Sequence, residues 1–178
     1  MHPNHFIILN GGTSVKVLDA SVLLYGKMNI EKALLEAGHR LPTTPTPGGN
    51  YVLAKTVGKL VYLAGVVSTD GKGVITGKAG DGCGVKEGYA AARACVLTQL
   101  AILRHHLGSL DAVKSIVSVS GYVNAAPWFY DSPQIINGAS DLLVEVFGEA
   151  GRHVRAAIGV SALPRNALVE VQMIVEIE

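Results

Sequence analysis

A single β-sheet covered on one face by two long helices, an α/β (α+β) fold with element order ββαβαββ, is what this 178-residue sequence predicts. Three observations carry the prediction. Runs rich in β-branched and aromatic residues, short enough for strands, lie at both ends of the region that begins at Tyr51. Two long segments repeat their apolar residues at helical spacing. A glycine-rich stretch separates the first strand pair from the first long helix.

Residues 1–27 contain two short apolar runs, 6–9 and 15–24, around the turn signal Asn10-Gly11-Gly12, and read either as a hairpin or as an appended extension to a main domain of residues 28–178. Asn29 is a suitable N-cap for a short helix over residues 30–37, with Gly38 placed to end it. Pro42, Pro45 and Pro47 make the following segment an extended connector. Residues 51–56 and 59–67 form a strand pair around a tight turn at Val57-Gly58, and the glycines from Gly71 to Gly84 predict loop with at most a short strand at 74–76. Val85, Tyr89, Ala92, Val96, Leu100 and Leu103 set one helical stripe over residues 85–106, stopped by Gly108. Residues 113–123 alternate as a strand, with Val113, Val117, Val119 and Val123 on one side. Ser132-Pro133 opens a second helix whose Ile135, Ala139, Leu142 and Val146 share a face. Strands at 153–161 and 167–177, joined through Leu163-Pro164-Arg165-Asn166, read as a C-terminal hairpin.

Composition narrows the function classes. Fifteen basic and fourteen acidic residues give a formal charge of +1 without a run of like sign, so neither nucleic acid nor an anionic membrane is an expected partner. Cys83 and Cys95 are too few and too isolated for a disulfide framework or a zinc site. No apolar stretch approaches the roughly 20 residues of a membrane span, and the N-terminus lacks the pattern of a secretory signal, so a soluble, cytoplasmic protein without cofactor or metal is expected. The Gly80-Asp81-Gly82-Cys83-Gly84 segment lacks the spacing of a dinucleotide site and reads as a flexible loop. His105-His106 at a helix end suits the helix dipole better than a metal, and Trp128 reads as packing or as the wall of a cleft.

Two helices cover only one face of such a sheet, yet the other face is not uniformly polar: in residues 59–67 both alternate sets are mostly apolar, and Leu168 and Ile174 interrupt the polar side of the last strand. An identical subunit is the simplest cover, and the N-terminal extension is the competing one. If Val154, Ala156, Ile158 and Val160 face the core against Val169, Val171, Met173 and Val175, then Ile158 lies opposite Val169 and Ala156 opposite Val171. Arg155 is then diagonal to Glu170 at about 7 Å on the reverse face, with His153 and the small Ala157 beside them. Two readings of that pair stand side by side. It is a cross-strand salt bridge, or Arg155 offers its fork to a substrate carboxylate while Glu170, held ionised by the arginine, orients or activates water.

The run Gly151-Arg152-His153-Val154-Arg155-Ala156-Ala157-Ile158-Gly159-Val160, then Leu163-Pro164 and Val169-Glu170-Val171, resembles the C-terminal signature of the Rid family of reactive-intermediate (enamine/imine) deaminases, also called YjgF or endoribonuclease L-PSP. Asn50-Tyr51-Val52, Leu63-Ala64-Gly65, Gly121-Tyr122-Val123-Asn124 and the run from Ile136 to Leu143 follow the family's order, and the stretch from Ile136 to Arg155 is similar to a divergent bacterial branch. The resemblance implies a chorismate-mutase-like fold with a single mixed sheet, a homotrimer, and ligand sites between subunits. It implies that Arg155 binds the carboxylate of a small substrate, that Glu170 handles water and protons, and that Tyr51, Gly65 and Asn137 line the site. Ala64 and Ala157 stand where many members have serine and cysteine, which excludes a covalent hydroxyl or thiol mechanism at those positions.

The implied activity is hydrolytic deamination of small enamine or imine carboxylates, of the 2-aminoacrylate type, to a 2-keto acid and ammonia without a covalent nucleophile. Such intermediates are already electrophilic, so positioning and proton transfer suffice. The alternatives are a non-catalytic binder of small carboxylates or a regulatory protein and, third, an endoribonuclease, which the charge balance disfavours.

Overall fold

The computed structural model describes residues 29–178, so the readings of residues 1–27 lie outside the described residues. Helix α1 (Ile30–Glu36) starts where Asn29 Oδ1 accepts a 2.8 Å bond from the Lys32 amide. Strands β1 (Ala54–Val57) and β2 (Leu60–Leu63) pair antiparallel about a turn at Gly58. The strand expected over 59–67 is interrupted at Ala64-Gly65 and resumes as β3 (Val66–Val67). The glycine-rich stretch holds four two-residue strands. Of these, β4 (Thr69–Asp70) pairs with β5 (Gly73–Val74), and β6 (Lys78–Ala79) pairs with β7 (Gly82–Cys83). Helix α2 (Val85–Leu107) ends at Gly108, whose φ of 84° is the left-handed stop expected of it. Strand β8 (Val113–Asn124), helix α3 (Ser132–Phe147), β9 (Val154–Val160) and β10 (Val169–Ile177) complete the order ββαβαββ, with the short strands added to it.

The main sheet is mixed and runs β1-β2-β10-β8-β9, with β3 also paired to β10. Its order corrects the C-terminal hairpin. β9 and β10 are not neighbours; β8 lies between them, parallel to β9 and antiparallel to β10. A strand, a helix and a strand in sequence favour a parallel pair joined by a helical crossover, and β8-α3-β9 takes that form. Residues 161–168 then carry the chain past the end of β8 to the far side. The expected cross-strand matches go with the hairpin: Ile158 pairs with Tyr122 and Ala156 with Ser120, while Val169 pairs with Val123 and Val171 with Gly121.

Val169, Val171, Met173 and Val175 are 0–1% exposed and form the floor beneath the helices. Against this floor pack Ala92, Val96, Leu100 and Leu103 of α2 and Ile135, Ala139, Leu142 and Val146 of α3, the stripes read from the sequence. The phase of β9 is the reverse of the expected one, since Val154 is 70% and Ile158 50% exposed on the open face while Ala157 packs against the core. Val117 is also exposed, because the register of β8 against β10 shifts between Ile174 and Val175 and Ile116 takes the buried position. The open face carries Tyr62, Val154 and Ile158 among polar neighbours, in keeping with the mixed character expected of it.

Where β2 gives way to β3 the ladder to β10 is interrupted, and buried Gln99 of α2 bridges the gap. Its Nε2 donates to Ala64 O at 2.9 Å and to Val171 O at 2.7 Å. Gln99→Leu keeps similar bulk but deletes both bonds. It should lower unfolding stability by about 3 kcal/mol in urea denaturation, because buried carbonyls left without donors carry their full desolvation cost.

Candidate functional site

Gly65 sits at this interruption, next to the side chain of Glu170 of β10. A Cβ on residue 65 would overlap Glu170 Oε1, so the carboxylate occupies space that only glycine leaves open. Glu170 points to the open face with its strand partners Val67 and Tyr122, because its neighbours Val169 and Val171 are committed to the core. Together with Tyr51, Thr98, Pro164 and Arg165, Gly65, Val67 and Glu170 line a cavity of about 450 Å³. Tyr51 forms a half-exposed wall, its hydroxyl accepting a 3.2 Å bond from the Gly48 amide. Glu170 makes no hydrogen bond or ion pair among the described residues, and burial pushes its carboxyl above the ordinary carboxylate value. That overturns the expectation of a glutamate held ionised by a nearby arginine.

Arg155 and Asn137 meet elsewhere. Arg155 is paired with Val119 of β8 and so points to the helix side of the sheet, where Nη1 donates to Asn137 Oδ1 at 2.8 Å and Ser140 Oγ at 3.0 Å, and Nη2 approaches Pro133 O at 3.4 Å. Three of the five guanidinium donors are thereby engaged, which leaves two, Nε–H among them, for a ligand. His153 extends the network. Its Nδ1 lies 2.7 Å from Gly151 O and must donate to that carbonyl, so Nε2 is left to accept from the Ser140 hydroxyl at 3.0 Å. Burial lowers the His153 pKa, and the Arg155 charge adds to the effect, so the ring is neutral at pH 7 and its tautomer is set.

The pair inferred from alternation is therefore not a pair within one chain. Arg155 and Glu170 lie on opposite faces of the sheet, with β8 between them and a three-residue offset along it, from Val119 to Tyr122. With strands about 4.8 Å apart and a rise of about 3.3 Å per residue, their Cα atoms stand roughly 14 Å apart. Ala157 is beside Arg155 on the helix side and not between the two. The structure gathers Tyr51, Gly65 and Glu170 in one cluster and Arg155 and Asn137 in another. Ser140, which braces Arg155, and Arg165, which lines the cavity, were missed as site residues. Ser140 lies one helical turn beyond Asn137, a spacing that could have marked it.

The other candidates take no part in either cluster. Cys95 is buried, its Sγ toward Val169 O at 3.6 Å, and burial raises its thiol pKa. His106 bonds Thr56 Oγ1 at 2.8 Å. Trp128 is 66% exposed and donates to Gly80 O at 3.3 Å.

The raised pKa of Glu170 has a stability consequence with a definite sign. A carboxyl whose folded value lies above its unfolded one costs the fold stability once pH rises past the unfolded value, about 4.3 for glutamate. Glu170→Gln should therefore melt at a higher temperature than the wild type at pH 7, and the difference should vanish below pH 4. Gly65→Ala should keep the wild-type melting temperature within a few degrees, since only the end of a flexible side chain must move, while displacing the Glu170 carboxylate in a crystal structure.

Comparison with known proteins agrees with this architecture. Residues 31–177 match the family described as "YjgF/chorismate_mutase-like, putative endoribonuclease". Protein TCP17 of Trypanosoma cruzi is 42% identical over 146 residues, 81% of this chain and 91% of that protein. A crystal structure from Agrobacterium tumefaciens, of a protein of unknown function, is 38% identical with a TM-score of 0.77, covering 84% of this chain and 94% of that one. A Shewanella oneidensis structure described as an endoribonuclease in the same qualified terms is 35% identical with a TM-score of 0.80, covering 84% of this chain and 99% of that one. No helix among the described residues is long and apolar enough to cross a membrane. With a family match along nearly the whole described chain and its mixed sheet covered on one face by helices, this chain belongs to the YjgF/Rid family and has its chorismate-mutase-like fold.

Proposed function

We propose that the chain is a homotrimeric hydrolytic deaminase of small enamine and imine carboxylates, with each site shared between two copies. The observation that carries the reading is the separation of the two clusters: Arg155 with Asn137 on the helix side, Glu170 with Gly65 and Tyr51 on the open face. Arg155 and Glu170 do not meet within one chain, and roughly 14 Å is too far for a substrate of a few carbons to touch both. A neighbouring copy supplies the missing half. The apolar Tyr62, Val154 and Ile158 on the open face give such a copy a surface to cover.

In the shared site, the free donors of Arg155 hold the substrate carboxylate and Asn137 and Ser140 keep the guanidinium in place. An enamine first takes a proton from solvent at carbon and becomes the iminium, and one proton returns to solvent in the last step. Water adds to the C=N carbon, forming a C–O bond and giving its proton to Glu170. Glu170 then returns that proton to nitrogen, the C–N bond breaks, and ammonia leaves as the hydroxyl loses its proton to form the keto acid. A carboxyl whose pKa is raised by burial is a better proton acceptor than an ordinary carboxylate, which favours Glu170 for this exchange. Ala64 and Ala157 offer no nucleophile, and the chemistry needs none.

Ala64 and Ala157 equally suit a second reading, a non-catalytic binder of carboxylate metabolites. Ligand-dependent thermal stabilisation that Arg155→Ala abolishes, without turnover of any imine, selects the binder. In a dehydratase-coupled assay the wild type should speed keto-acid release, and Arg155→Ala should lower kcat/KM by about a hundredfold or more. Sharing is tested by mixing. Arg155→Ala and Glu170→Gln, each inactive alone, should recover about a quarter of wild-type activity when co-assembled 1:1, because one interface in four then carries both intact residues. No recovery from hybrid trimers counts against a shared site.

A further inference from the structure

Arg165 is a non-glycine residue in the left-handed region, with φ 58° and ψ 24°, followed by Asn166 at φ 55°. A single such residue is uncommon, and two in succession persist only when the surroundings impose them. Here they do. Buried Asn124 donates from Nδ2 to Gly77 O at 2.8 Å and to Asn166 Oδ1 at 3.2 Å, while the Gly77 amide donates to Asn166 O at 3.1 Å. The Asn166 amide reaches back to Leu163 O and the Ala167 amide to Pro164 O, each at 3.1 Å. Glycine would sit at position 165 without strain. An arginine stands there instead, and its side chain lines the cavity that holds Glu170, as the sole basic residue among its described lining.

The guanidinium of Arg165 makes no hydrogen bond or ion pair among the described residues, and Glu170 is no ion-pair partner to it. A cation on a backbone held in the left-handed region thus lines the same cavity as the Glu170 carboxyl without pairing with it. Resting on the reading of this cavity as the reactive half of an imine site, we propose that Arg165 binds a second carboxylate on the substrate, so that the site prefers imines of dicarboxylic amino acids. The charge of one fork matches one carboxylate. A phosphate, at nearly two negative charges, would leave an excess beside Glu170 that no other basic lining residue offsets. Arg155, contributed by a neighbouring copy, keeps the carboxylate common to all these substrates, and Arg165 reads the distal one.

The test compares two five-carbon probes, 2-oxopentanedioate and 2-oxopentanoate, by calorimetric titration of the full chain as wild type, Arg165→Gly and Arg165→Lys. The wild type should bind the dicarboxylate at least about tenfold more tightly, one good charge-assisted contact. Arg165→Gly should bring the two affinities together by weakening only the dicarboxylate, and Arg165→Lys should restore part of the preference. Glycine relieves the backbone at this position, so an unchanged or higher melting temperature separates loss of recognition from loss of fold. Equal weakening of both probes would mean that Arg165 holds the common carboxylate, and it overturns the proposal, as does a wild type without preference. The same proteins are then assayed on the corresponding imines, generated in place by amino-acid oxidases. A binding preference that follows Arg165 without turnover of either imine sinks the deaminase reading and leaves the dicarboxylate site standing. Turnover of both imines at equal kcat/KM, with no binding preference, does the reverse.

Discussion

Everything in this molecule depends on the burial of β10 beneath α2. Val169, Val171, Met173 and Val175 are sealed against the helices, and the two-residue period of a strand then leaves Glu170 no side to face but the other. The cost of that position is evident in the carboxyl itself, which is partly desolvated without a compensating partner. Gln99 works in the same place from the helix side, bonding the carbonyls that the divided β2–β3 edge leaves beside β10. The break it spans is also what sets Gly65 against the glutamate. One buried amide thus supports both the sheet and the cavity formed at its defect.

The arginine cluster has a different physical character. Arg155 lies on the edge strand β9, exposed to solvent, and is ordered by side-chain bonds to α3 instead of by burial. Ser140 accepts a hydrogen bond from Arg155 and donates one to His153, whose other ring nitrogen donates to Gly151 O. Positive charge is therefore presented on a preorganised fork that keeps donors in reserve, whereas burial raises the pKa of the carboxyl across the sheet. The two environments differ as the proposed roles require, an ordered guanidinium on one side and a desolvated carboxyl on the other.

Much of the fold was legible because it follows from local periodicity. The stripe from Ala92 to Leu103, the α3 face from Ile135 to Val146 and the stops at Gly38 and Gly108 depend only on helical spacing and left-handed caps. Strand adjacency does not. The short connection after β9 suggests a hairpin, but a strand joined through a long helix to the next strand constrains the pair to be parallel neighbours, and that constraint wins. The bulge at Val117 likewise reversed a phase that perfect alternation would have kept. Nothing in a linear pattern marks a left-handed arginine whose neighbour Asn166 is held by Asn124, forty-two residues earlier.

What the sequence determined by itself is the set of chemical groups and the local elements that carry them: Arg155 and Glu170 on strands, Asn137 on a helix, Gly65 and Tyr51 near the first strand pair, and no thiol or hydroxyl at Ala64 and Ala157. What only the tertiary structure decided is which of these groups share a space. Alternation fixes faces relative to neighbours along one strand, but which face becomes the interior is settled by which strands lie side by side and where the helices dock. Inserting β8 between β9 and β10 separates an apparent pair into two clusters on opposite sides of one sheet, with Arg165 lining the cavity that holds the glutamate.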